Sequence, residues 1–301
     1  MRSPTTAVIL NYNNAAETIE CVRSLERSTY PNLSILVVDN GSTDGSEQLI
    51  RGACPGVEIL QTGRNLGFAA GNNAGIARAL ARGAAYVLIL NNDTLVDPHF
   101  LEPMVEALEA DHRAAAAGGT ICYHPETEKV WYAGGSINPW RASAFVHHLD
   151  APYASLDLEH TVSVSFITGC MMLVRAVALA TAGTFDERFF MYLEDTNLCA
   201  RLQSHGYRLL YVPRTRIYHR IKHRGDRPLT MYYMVRNRLL FVSEVPRALQ
   251  RWGGTLYLYA TLAAKMPAWL VTNRALSRAA WMGVVDFRAR RLHQGRGLSL
   301  A

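Results

Sequence analysis

The 301-residue chain is 49% hydrophobic with a formal charge of +6, which excludes a disordered polypeptide and allows one large core, with or without an appendage. Its five cysteines include no CxxC pair, so neither a zinc site nor a disulfide framework is expected, and the thiols read as small buried hydrophobes. From Arg208 onward 18 Lys and Arg face 3 Asp and Glu, against 13 and 22 before it. A basic tail of this kind suits anionic lipid or a diphosphate, and no nucleic-acid recognition motif accompanies it.

The opening MRSPTTAVILNYN has an apolar run too short for an export signal, so a cytoplasmic protein is expected. A strand ending at Asn11 is followed by a helix from Asn14, with Ile19, Val22 and Leu25 at helical spacing, stopped by Tyr30-Pro31. A second strand, Leu33 to Val38, runs into Asp39-Asn40-Gly41-Ser42-Thr43-Asp44, where Asp44 reads as a cap for the helix reaching Ile50. A third strand near Val57 to Leu60 leads to GRNLGFAAGNNAGIARALARG, helical in its second half, whose glycines spaced by four suit close packing rather than a dinucleotide fingerprint. The strand Tyr86 to Leu90 then delivers Asn91, Asn92 and Asp93.

Alternating βα units of this kind specify a doubly wound, mostly parallel sheet, in which ligands bind beyond the carboxyl ends of the strands. Asn11, Asp39 and Asn91 to Asp93 therefore mark one rim. Downstream, a helix to Ala110 and a strand from Ala115 to Tyr123 precede an aperiodic stretch to His160, read as hairpins and loops. ITGCMMLVR reads as a buried strand, AVALATAG as a short helix, and Asp195 to Ser204 as a helix. Beyond Pro228 the pattern is helical to the end, giving a division at 228/229 between a domain of residues 1–228 and a basic helical extension of residues 229–301. TLYLYATLAAKMPAWLV is interrupted by Lys265 and Pro267 and is too short to span a bilayer. An interfacial helix on anionic lipid, with Trp252, Trp269 and Trp281 near the boundary and Arg247, Arg251, Arg274 and Arg278 facing headgroups, fits the charge, and helices that only pack on the preceding domain are the alternative.

A strand-end carboxylate such as Asp39 can accept hydrogen bonds from a nucleobase or a ribose hydroxyl, while Asp93 is placed to hold a cation. Mg²⁺ or Mn²⁺ relieves the repulsion between clustered carboxylates and a diphosphate. In FDERFFMYLEDTN, Glu194 and Asp195 stand at a helix start, where the dipole favours the carboxylate form and either could act as general base.

The set VILNYNN, VVDNGSTDGS, NLGFAAGNN, LNNDT, FDERFFMYLED and YVPRTRIYH, in this order over about Thr5 to Phe241, resembles the family 2 glycosyltransferases of GT-A fold, in their rhamnosyltransferase-like branch. The resemblance implies an inverting, metal-dependent transfer from a nucleotide diphosphate donor, dTDP-L-rhamnose by branch, to a hydroxyl of a cell-surface glycan or lipid-linked acceptor. A UDP-hexose donor is the alternative. It implies that Asn11, Tyr12, Asp39 and Asn40 line the nucleotide pocket, with Arg64, Asn65 and Asn72 nearby and Asn92, Asp93 and Glu194 completing the nucleotide-sugar site. Asp93 would ligate the metal, Asp195 would be the base, and His219 a second ligand or a donor to the diphosphate. Asn91-Asn92-Asp93 leaves one carboxylate where many relatives have two, and Asn197 replaces an acid in the EDTNL helix.

Three further readings complete the set. A sugar-phosphate nucleotidyltransferase would need a Gly-rich, Arg-containing loop after the first strand, and Asn11 to Asn14 is not one. A glycan-binding protein with a decayed site is the non-enzymatic rival. The run HRIKHRGDRP suits either a solvated loop or a closing lid.

Overall fold

The computed structural model describes residues 2–221 and 227–296. Residues 222–226, at the centre of the run read as a lid, lie outside them. Three βα units and a fourth strand come first: β1 (Thr5–Asn11), α1 (Ala15–Leu25), β2 (Leu33–Asp39), α2 (Ser46–Ala53), β3 (Glu58–Gln61), α3 (Gly67–Ala81) and β4 (Tyr86–Asn91). β1 pairs in parallel with β2 and β4, and β2 with β3. The apolar runs that predict these strands are buried through Ala7, Val8, Ile9, Val37, Val38 and Val87 to Leu90, as a sheet covered on both faces requires. Gly71 and Gly75 let α3 lie on β1: a Cβ on Gly75 would stand 2.3 Å from Val8 Cγ1, and one on Gly71 2.6 Å from Leu10 Cδ1.

The second half widens the sheet. β5 (Thr94–Val96), α4 (Leu101–Ala110) and β6 (Ala114–Tyr123) are followed by β7 (Val130–Tyr132), the hairpin β8 (Gly135–Asn138) and β9 (Ser143–Val146), and β10 (Val162–Val164). β11 (Met171–Arg175), α5 (Ala176–Ala182), α6 (Glu194–Ser204) and β12 (Arg208–His219) complete the order β10-β12-β6-β11-β4-β1-β2-β3. β11 runs antiparallel between β4 and β6, while β6 and β12 are parallel. The architecture is the mostly parallel α/β sheet with flanking helices that the alternation predicts.

Three helices follow, α7 (Pro228–Ser243), α8 (Ala248–Thr272) and α9 (Arg274–Arg288). Helix does not continue to the end as the pattern suggests. From Ala289 the described chain turns back, with Arg290, His293 and Gly295 at positive φ, and Arg296 reaches the buried Asp286 carboxylate at 2.7 Å. Pro267 stays within α8, and no helix among the described residues is long and apolar enough to cross a membrane. All five cysteines are free and buried.

Candidate active site

β2, β1 and β4 end side by side. Parallel register sets Asn11 against Asp39 and Leu10 against Asn91, so the three strand ends share a rim about 10 Å wide at roughly 4.8 Å per strand. Hydrogen bonds run along it. Gln61 Nε2 donates to Asp39 Oδ2 (2.9 Å), Asn11 Nδ2 to Asp39 Oδ1 (2.9 Å), Thr18 Oγ1 to Asn11 Oδ1 (2.8 Å) and Asn92 Nδ2 to Thr18 Oγ1 (2.9 Å). Ser42 Oγ also donates to Asp39. Asp39, 2% exposed, thereby has both carboxyl oxygens hydrogen-bonded, as its burial demands.

The other residues of this end separate by role. Asn40 donates to Asn65 Oδ1 (3.2 Å) and to the Gly67 carbonyl (3.1 Å) and accepts from the Leu66 N–H (3.0 Å). Its amide is thus occupied in latching the loop that carries Arg64, whose side chain is exposed. Gly41, at φ +75°, makes that latch possible, because a Cβ there would sit 2.4 Å from Arg64 Cα. Asn72 donates to the Phe68 carbonyl (2.9 Å), while its Oδ1 is buried without a hydrogen-bond partner. Tyr12 is 45% exposed at the lip.

Asp93 and His219 meet through the sheet. β5 pairs antiparallel with the end of β12, setting His219 opposite Thr94, and His219 Nε2 lies 3.1 Å from Asp93 Oδ1. The approach is not aligned as a hydrogen bond: Asp93 Oδ1 and His219 Nδ1 are both buried without a hydrogen-bond partner. Trp131 stacks edge-on to the imidazole, centroids 4.8 Å apart. Burial alone would depress His219, yet the neighbouring Cys170 and Asp93 raise it on balance. Burial pushes the Cys170 thiol up as well. Among the described residues no cluster of three or more His, Cys, Asp or Glu forms a metal cage. An orphaned carboxylate oxygen beside an imidazole nitrogen would fit a cation that displaces the imidazole proton and draws its remaining ligands from water and substrate phosphate.

A cavity of about 430 Å³ opens beside this pair, lined by Asn91, Trp131, Glu194, Asp195, His219 and Met234 among others. Asp195 Oδ2 accepts from the Gly169 N–H (2.9 Å), and Oδ1 from the Thr196 N–H (2.7 Å) and Thr196 Oγ1 (3.3 Å). Burial raises its carboxyl above the usual range and these donors oppose the rise. Glu194 is 6% exposed with Oε2 unpartnered, and burial together with the Asp195 charge drives it well up. Both carboxyls are raised and Glu194 the further of the two, so a proton held by the pair favours Glu194 over Asp195.

The loop before α6 is strained, with Phe190, Tyr192 and Leu193 at φ 64°, 68° and 67°. It is gripped from α7. Asn237 Nδ2 donates to the carbonyls of Phe189 (2.9 Å), Met191 (2.7 Å) and Tyr192 (2.8 Å), and Arg236 Nη2 to Phe189 (2.7 Å). α3 closes the other side, its Ala69 N–H donating to the Phe190 carbonyl at 3.1 Å. Sequence reasoning missed Arg236 and Asn237, together with Thr18, Gln61, Trp131 and Gly169. The available signal was the polar run Arg236-Asn237-Arg238 within the otherwise apolar stretch Met231 to Phe241.

A family model described as glycosyl transferase family 2 matches residues 6–182. The chain belongs to this family. The N-acetylglucosaminyl-diphospho-decaprenol L-rhamnosyltransferase of Mycobacterium tuberculosis is 27% identical to this glycosyltransferase, over 93% of the chain and 97% of that protein. The dTDP-rhamnosyl transferase RfbF of Shigella flexneri is 23% identical, over 81% of each. The fold matches the mannosyltransferase PcManGT from Pyrobaculum calidifontis, solved with GDP-Man and Mn²⁺, at TM-score 0.61 and 16% identity over 97% of this chain and 88% of that one. It also matches GalNAc-T7, solved with UDP, GalNAc and Mn²⁺, at TM-score 0.64 and 15% identity over 80% of this chain but only 48% of that one. The expected GT-A fold of the glycosyltransferase is borne out.

The split between the two carboxyls has a measurable consequence. A carboxyl raised on folding contributes stability that is full below its unfolded value, 4.5 for Glu194, and that is lost as pH rises through the folded value. Glu194→Gln is therefore expected to raise Tm by a few degrees at neutral pH, with the gain vanishing at acid pH, and to retain transfer activity. A Tm difference independent of pH, or loss of turnover, contradicts the assignment.

Proposed function

We propose that this glycosyltransferase moves L-rhamnose from dTDP-L-rhamnose, with inversion, to a hydroxyl of a lipid-linked cell-surface glycan precursor. The observation that carries the reading is one cavity lined by both Asp195 and His219, the latter against Asp93. The names of the mycobacterial and Shigella relatives support the donor sugar and, for the first, a lipid diphosphate acceptor.

In this reading Asn11, Asp39, Asn92 and the exposed Tyr12 and Arg64 receive the nucleotide along the rim, with Asn40, Asn65 and Asn72 shaping its wall. Asp93 and His219 hold a divalent cation, Mg²⁺ or Mn²⁺, which when bound neutralises charge on the diphosphate. Asp195 accepts the proton of the acceptor hydroxyl. The freed oxygen pair forms the new glycosidic bond on the face opposite the diphosphate, whose bond to the anomeric carbon breaks with its electron pair. Glu194 keeps its proton and contributes no second negative charge.

Thermal shift with dTDP, UDP and GDP, with and without Mn²⁺, tests the donor class. dTDP with Mn²⁺ is expected to give the largest stabilisation, and Asp93→Ala to remove its metal dependence. A larger shift with UDP would move the assignment to a UDP-hexose, and none with any nucleotide would return the chain to a glycan-binding role.

The extension, residues 229–301, is the proposed membrane contact, at the inner face of the cell membrane. Along α8, Leu249, Trp252, Leu256, Leu270 and Val271 are each more than half exposed, and Trp281 of α9 is 60% exposed. Arg247, Arg274 and Arg278 are exposed nearby; Trp269 instead turns towards α7. Co-sedimentation with phosphatidylglycerol vesicles is expected to exceed that with phosphatidylcholine and to fall about tenfold in Trp252→Glu. Equal pelleting of the variant would remove α8 from the contact.

A further inference from the structure

A second cavity, of about 250 Å³, lies between α7 and α8. Its walls are apolar, from Met231, Met234, Leu258, Leu262 and Trp269, and its polar lining includes two cations, Arg238 and Lys265, and no carboxylate. Arg238 is held by backbone carbonyls, donating to Ala142 (3.2 Å) and Arg141 (2.6 Å). Lys265 Nζ stands 5.9 Å from the Trp269 ring centroid.

Position gives this groove its meaning. Met234 lines both it and the cavity that contains Asp195, so the two share a wall. On its outer side α8 presents the exposed apolar stripe from Leu249 to Val271. The groove thus lies between a surface suited to lipid and the cavity suited to the acceptor hydroxyl. An apolar channel with two cations and no anion matches an amphiphile whose tail is hydrocarbon and whose head is a phosphate ester.

The geometry points to the α7–α8 groove as the binding site for the prenyl diphosphate portion of the acceptor. Arg238 and Lys265 take the diphosphate, and the first isoprene units lie against Met231, Leu258 and Leu262. This deepens the proposed function and rests on its lipid-linked acceptor. Nothing covalent happens in the groove; it sets which carriers present their sugar to Asp195.

The test uses a benzophenone-tagged farnesyl diphosphate, photo-cross-linked to the full chain and mapped by peptide mass spectrometry. Labelling is expected in the α7 and α8 segments that face each other. It should fall about tenfold in Lys265→Glu, which reverses a charge at the head-group end, and comparably in Thr261→Trp, which fills the groove from α8. Unlabelled farnesyl diphosphate should compete, and farnesol should compete about tenfold less well. Labels confined to the outer stripe of α8, labelling unchanged in Lys265→Glu, or equal competition by farnesol would each overturn the assignment. The dTDP thermal shift, measured on the same samples, reports folding and the donor site separately. If wild type lacks that shift, the rhamnosyl reading fails while the labelling still decides the groove. Lys265, being exposed, leaves a soluble variant should Thr261→Trp misfold.

Discussion

Asp195→Asn is expected to lower kcat by about 10² to 10⁴-fold, the usual contribution of a positioned general base, with the dTDP-induced thermal shift retained. The amide preserves shape and one acceptor oxygen for Gly169 or Thr196. Its NH₂ then faces the remaining N–H donor, at a stability cost of about 1–2 kcal/mol. What it cannot do is take a proton. In wild type the working form is the anion, and its carboxyl lies above the ordinary range because of burial. Activity should consequently rise with pH through that elevated value and then level off, and the limb should be missing from the residual activity of the variant. Turnover within a few-fold of wild type in Asp195→Asn would transfer the base role elsewhere, with Glu194 the first candidate.

Asn237→Ala is expected to cost about 3 kcal/mol in stability and to lower kcat by about tenfold or more without weakening dTDP binding. The side chain is fully buried, and a single amide serves the carbonyls of Phe189, Met191 and Tyr192. Its Oδ1 accepts from Arg236 Nε at 2.9 Å. Truncation leaves several buried polar groups short of partners, each worth about 1–3 kcal/mol. It also frees three left-handed residues to relax, and these set the entry of α6 and hence the aim of Asp195. Urea denaturation reads the first effect and steady-state kinetics the second. A destabilised variant with normal kcat would show that α7 supports the fold and does not position the base.

How much of this was visible in the chain itself follows from the range of the forces involved. Strand ends at Asn11, Asp39 and Asn91 are legible because a buried parallel strand is a continuous apolar run, and the polar residue that stops it must lie at the carboxyl rim. The glycines of α3 are legible for the same local reason. The direction of β11 is not: ITGCMMLVR is equally apolar whichever way it runs, and only its pairing with β4 and β6 decides it. The contact of Asp93 with His219 depends on a three-residue strand, β5, too short to leave a period. The stretch after Tyr123 shows none because its strands have three or four residues each. Family resemblance supplied the candidacy of His219 and chose Asp195 from the acidic pair that the helix start already marks, whereas the grip of Arg236 and Asn237 arises from contacts between residues more than forty positions apart. No local pattern encodes such a contact, although an Arg-Asn-Arg run inside an otherwise apolar helical stretch is a mark that something must receive it.

The enclosure of every native sulfhydryl has a practical corollary. Burial raises Cys21 to about 12 and moves Cys54, Cys122, Cys170 and Cys199 in the same direction, so the nucleophilic thiolate is scarce at each. A cysteine introduced at an exposed position such as Ala263 on α8 would then be the one fast-reacting handle for a maleimide dye. An environment-sensitive fluorophore attached there would follow the approach of this helix to a bilayer without a cysteine-free background having to be engineered first.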